Sequence, residues 1–112
     1  MDWVRIRERF LQDGIPVRLA GLAADMERIA TLAGTTGESS SVLQWLEEGQ
    51  RFIEWTAAEL EPETAAELVN LQVILSAWCS AWQSGPPGSS FRSVLAVEAH
   101  YWSERILTLA GM

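Results

Sequence analysis

Histidine titrates near neutrality, so His100, the single histidine among 112 residues, is the first place to look for proton-transfer chemistry. Glu104 follows four residues later, one helical turn away, and can orient the imidazole or form an ordinary surface pair with it. Cys79 is the single thiol. A catalytic cysteine needs a depressed pKa, a base within reach and an oxyanion site, and the run Trp78-Cys79-Ser80 carries no nucleophile signature. A packed, unreactive thiol is therefore expected at Cys79. Carboxylates are plentiful, but adjacent Glu47 and Glu48 point about 100° apart on a helix, and Glu63 with Glu67 makes only a common acidic pair. The di-iron bundle pattern needs Glu-x-x-His, and Val97 stands where that glutamate would be. With one His and one Cys, neither a multi-histidine site nor an internal disulfide can form within a chain. Gly34 to Ser41 lacks the Lys-Ser/Thr ending of a phosphate loop. The sequence thus predicts no catalytic residue, no cofactor and no metal, and the expected function is not enzymatic.

Contact chemistry is better represented. Six tryptophans, Trp3, Trp45, Trp55, Trp78, Trp82 and Trp102, are many for so short a chain. Several can fill a core, but enclosing all six is difficult, and Trp3 and Trp55 are expected to keep part of their surface exposed. The expected partner-binding residues are Trp3, Glu47, Glu48, Arg51, Glu54, Trp55, Glu98 and Arg105. Glu98 and Arg105 lie seven residues apart, in nearly the same helical direction with Tyr101 between them, and can frame a polar seam. Arg51 has Glu47, Glu48, Glu54 and Trp55 at helix-compatible separations.

The elements that must position these residues read as helices. A short one over 2–13 carries Trp3, Ile6 and Phe10 on one face, with Asp2 as its cap and Gly14 as its stop. The second runs over 16–33, opened by Pro16 and closed by Gly34, with the stripe Leu19, Leu22, Met26, Ile29, Ala33. Gly21 interrupts it at a cost of about 1 kcal/mol unless a close approach needs it. A polar connection follows, in which Ser41 and Gln44 have capping-box spacing. The third helix spans 42–60 with Val42, Trp45, Leu46, Gly49, Phe52, Ile53 and Thr56 inward. The fourth spans 63–83 on Leu68, Leu71, Leu75, Trp78 and Trp82, its apolar surface broadened by Val69, Val73 and Ala77. Ser84-Gly85-Pro86-Pro87-Gly88-Ser89-Ser90 ends it. The fifth covers 91–110 on Phe91, Leu95, Ala99, Trp102, Ile106 and Leu109, with Ser90 as its cap. The prediction is one all-α domain over 1–112, a compact four-helix bundle with a short N-terminal accessory helix. Completion of the bundle by a second chain is the structural alternative.

Charge narrows the partners. All eight basic residues are arginines, against fifteen acids, for a net charge of −7. Residues 1–37 and 70–112 each balance, so the excess lies in 38–69, where Arg51 faces eight glutamates. No basic tract offers a footing for a phosphate backbone, which argues against nucleic acid. Arg, Glu, Gln or Ser break every apolar run before it reaches membrane-spanning length, and the N-terminal segment does not resemble a leader peptide. The expectation is a cytoplasmic, acidic, tryptophan-rich interaction or assembly protein, first of all a homodimer. A basic protein is the possible second partner, attracted by the glutamate field. An apolar small-molecule binding module is the alternative function, and a hydrolase the less favoured one.

Overall fold

The structure is a computed structural model that describes residues 2–34, 39–85 and 87–111. Its elements are α1 (Trp3–Leu11), α2 (Ile15–Ala33), α3 (Ser39–Thr56), a 3-10 turn (Ala57–Glu59), α4 (Pro62–Gln83) and α5 (Ser89–Leu109). This is the expected all-α arrangement of four long helices and a short leading one. Residues 35–38 of the polar connection and Pro86 of the second turn lie outside the described residues.

Local chemistry sets most boundaries. Asp2 caps α1, its Oδ1 accepting from the Arg5 amide at 3.1 Å. Pro16 and Pro62 occupy the first turns of α2 and α4, where an amide hydrogen is dispensable. Gly111 stops α5 in the left-handed region at φ 81°. Four boundary expectations need correction. Gly14 does not end α1, which stops at Leu11 with Gln12 as its cap; Gly14 instead caps the start of α2. Ser41 lies inside α3, which begins at Ser39, and is not the residue that opens the helix. Ser90 lies inside α5, whose N-cap is Gly88. The third helix stops at Thr56 rather than Leu60, because the chain tightens into the 3-10 turn and Leu60 goes extended ahead of Pro62.

In the bundle α2 packs against both α3 and α5, and α3 against α4, whereas the backbones of α4 and α5 barely approach each other. Leu22, Met26 and Ile29 on α2 are at most 1% exposed and meet Leu46 and Ile53 of α3, Leu68, Leu71 and Leu75 of α4, and Leu95, Ala99 and Ile106 of α5 in one core. Burying each larger aliphatic chain contributes about 1.5–3 kcal/mol. Gly49 lets three helices meet: a Cβ there would stand 3.2 Å from Met26 Cε and 3.3 Å from Leu75 Cδ1. Gly21 has no such role, since a Cβ would only touch Phe52 Cε2 at 3.7 Å. Val69 and Val73 do not widen the inner face of α4 but point to solvent, 52% and 65% exposed.

Buried Arg18 staples the α1–α2 turn to the rest. It donates from Nε to the Asp13 carbonyl at 2.8 Å and from Nη2 to that of Leu11 at 3.2 Å, and pairs with Glu59 at 2.7 Å. These bonds satisfy carbonyls left over at the end of α1. On the far side, Arg92 Nε donates to the Ala33 carbonyl at 3.1 Å and ties α5 to the end of α2.

Candidate functional site

The expected contact residues fall into two regions. The first is the end of the bundle where α1 lies on α3. Phe10 and Phe52 stack with centroids 4.0 Å apart, Trp55 tilts against both rings, and Trp3 meets Trp55 edge-on at 6.4 Å. The Arg51 guanidinium lies 4.4 Å over the Trp3 ring, a cation–π contact worth about 0.5–1 kcal/mol when exposed. Among the described residues Arg51 forms no ion pair with the glutamates open to it in sequence; its cation lies over the ring of another helix. Trp3 and Trp55 are half-buried in this cluster, and Glu47 and Glu54 are exposed on α3. Trp45 and Trp102 are half-buried as well, so incomplete burial is spread over four tryptophans.

Glu48 differs from the glutamates around it. It is half-buried and turned toward α2, where Asp25 is fully buried. Arg28 donates to Asp25 Oδ1 at 2.9 Å while its guanidinium lies 4.6 Å over Trp45. Asp25 Oδ2 has no conventional donor, because the group it faces is the Glu48 carboxyl. Two carboxylates cannot bond unless one carries a proton. Desolvation, followed by the Glu48 charge, raises the Asp25 pKa from 3.8 to about 9, so Asp25 is the acid that keeps its proton and donates it. Within the pair Asp25 is sealed from water and Glu48 is the partner that reaches toward it.

On its other side Glu48 lines a cleft of about 730 Å³ between α1, α2 and α3. Ile6 and Phe10 come from α1, Val17, Ala20 and Gly21 from α2, and Phe52 from α3, with exposed Arg9 and Asp13 at the mouth. Asp25 was not singled out in the sequence. The signal was there: it lies three residues after Leu22 and four before Ile29, within the stripe that fills the core.

The second region is the loose seam between α4 and α5. Arg105 donates to Glu67 through Nε at 2.9 Å and also through Nη2, and this pairing holds the Glu67 carboxyl below its usual range. Trp82 and Phe91 add a ring contact at 6.5 Å. Glu98 is exposed on the same flank. Beside it Val94, Val97 and Tyr101 are 60%, 71% and 60% exposed. Val94 therefore does not extend the inner side of α5.

The residues considered for chemistry do not converge. His100 bonds Glu27 of α2 through Nδ1 at 3.0 Å and Glu104 through Nε2 at 2.7 Å. The hydrogen bond that its ring donates to the Glu27 carboxylate is the main reason its pKa rises. Cys79 is buried, with its thiol pushed up by desolvation, and lies beside Glu47, Gln50 and Gln72. Among the described residues no three His, Cys, Asp or Glu groups stand close enough to hold a metal ion, and no helix is long and apolar enough to cross a membrane. Compared with protein-family models, curated proteins and solved structures, the chain finds no match.

Proposed function

We propose that this chain is a small non-catalytic interaction or assembly module whose first partner is a second copy of itself. The observation that carries this reading is the outer face of α5. Val94, Val97 and Tyr101 follow at spacings of three and four, the pattern of a helix that packs on two sides, and the inner side is already used by Leu95, Ala99 and Ile106. An antiparallel pairing of two α5 helices about a twofold axis midway between Tyr101 and Trp102 sets Val94 of one copy level with Leu109 of the other. The flanking Glu98 then comes opposite Arg105, which Glu67 already holds in position. By symmetry this attraction occurs twice.

Light scattering over a concentration series tests the reading, the expected result being a mass of two chains that falls on dilution. Val97→Glu, at a side chain 71% exposed, leaves the fold intact and gives monomers. A wild-type chain that stays monomeric at millimolar concentration overturns the self-association. A dimer that survives Val97→Glu moves the interface elsewhere. The exposed Glu47, Glu54, Glu61 and Glu63 support a basic protein as a second partner. The setting we propose is the cytoplasm, where a buried free thiol such as Cys79 stays reduced.

A further inference from the structure

The cleft beneath α1 suits a ligand that the α5 interface does not involve. We propose that it binds a small protonated amine with an apolar or aromatic body, the ammonium group held by Glu48.

The shape and the charge both point to this class. A space of about 730 Å³ is large enough for a small organic molecule. Ile6, Phe10, Val17, Gly21 and Phe52 offer one wall to an apolar body, while Arg9, Gln12, Asp13 and Glu48 make the rest of the lining polar. Phe10 and Phe52 are stacked on each other, with the Arg18 guanidinium already 5.8 Å over the Phe10 ring, so the preference for a cation rests on Glu48 and not on the rings. Of the three ionic groups that line the cleft, Arg9 and Asp13 are exposed and Glu48 is the half-buried one; none of the ion pairs among the described residues involves it.

Each nearby arginine is engaged or distant. Arg28 is spent on Asp25 and Trp45, Arg18 on Glu59 and two carbonyls, and Arg51 on Trp3. Arg9 stands at the mouth, opposed there by Asp13. Asp25 donates its proton to Glu48 from behind, which fixes the carboxylate in place while leaving its charge to face the cleft. A carboxylate so placed repels carboxylate and phosphate ligands and attracts ammonium. Gly21 adds steric definition, because its missing side chain leaves open a stretch of wall that an alanine methyl would occupy without clashing with Phe52.

The test is calorimetric titration of the whole chain at pH 7 with phenethylamine, and with phenethyl alcohol as its uncharged counterpart. The amine binds at least about tenfold more tightly than the alcohol, a difference of about 1.4 kcal/mol. Glu48→Gln, which keeps a hydrogen-bonding partner for Asp25, brings the amine down to the affinity of the alcohol. Gly21→Ala weakens both ligands together, and its unchanged melting curve separates a filled cleft from a damaged fold. Equal affinity for amine and alcohol overturns the proposal, as does an amine preference that survives Glu48→Gln. Failure of both to bind at millimolar concentration overturns it too. None of these results depends on whether the chain is a monomer or a dimer.

Discussion

Two of the acid-containing contacts in this molecule use the same side-chain types in opposite ways. At the α2–α3 interface Asp25 is sealed from water and faces Glu48, with Arg28 on its far oxygen. At the α4–α5 seam Glu67 and Arg105 stay a little more than one-third exposed and form a two-pronged ion pair. Water decides the difference. In the seam both charges remain solvated and the pair adds little to stability. Inside the bundle a second negative charge costs too much, so a proton takes its place and the contact becomes a hydrogen bond between a neutral acid and a carboxylate.

The largest expected effect comes from removing the buried acid. Asp25→Ala leaves Glu48 without its donor and Arg28 without its acceptor, and lowers the unfolding free energy by about 2–4 kcal/mol in urea titrations at pH 7. Asp25→Asn keeps both a donor and an acceptor, and costs less than about 1 kcal/mol. If Asp25 were an ordinary ionised partner of Arg28, the two substitutions would be equally damaging, and the contrast between the two regions would collapse.

A smaller effect is the pH dependence. The folded state holds the Asp25 proton to about pH 9, whereas the unfolded chain releases it near 3.8. Stability from this group is therefore fully present below the lower value and declines as pH rises toward the upper one. His100, also raised, acts in the same direction, its contribution fading as pH climbs through its folded pKa. Chemical unfolding at pH 5 and pH 8.5 is expected to show lower stability at the alkaline end. Asp25→Asn flattens most of that slope.

The seam gives the smallest change in stability and the clearest change in association. Glu98→Gln removes the charge opposite Arg105 in the proposed dimer and raises its dissociation constant about threefold to tenfold, with an unchanged melting temperature. Added salt shrinks the effect. Glu67→Gln leaves the melting temperature of the monomer within error, and its loss of the Arg105 pairing is visible mainly as a lower salt sensitivity of dimerisation.

Helix periodicity made the fold legible, because the stripes of α2, α3 and α4 are long and keep strict three- and four-residue steps. Helix ends were less so: a serine before a helix looks like a cap wherever it falls, and the chain chose Gly88 over Ser90. The sites were legible only in part. Seven-residue spacing put Glu98 and Arg105 on one flank, but it could not reveal that Glu67, 38 residues from Arg105, would pair with it. Glu48 looked like one more solvated glutamate because its environment is made by α2, not by its own helix. The outward turn of Val69, Val73 and Val94 was hidden for a related reason: α4 and α5 carry apolar residues on both faces, and periodicity alone does not say which face is covered.

The pairing of α2 with α5 also has a consequence for how the chain is made. His100 reaches Glu27 across 73 residues, and Arg92 reaches Ala33 across 59. A ribosome extends a chain at about 5–20 residues per second, so α2 waits on the order of 3–15 s for the helix that covers it. During that interval α3 and α4 can fold back on α2, while its flank for α5 stays wet and adhesive. The nascent chain is thus most open to chaperones, and to other copies emerging on the same messenger, on the surface of its most central helix.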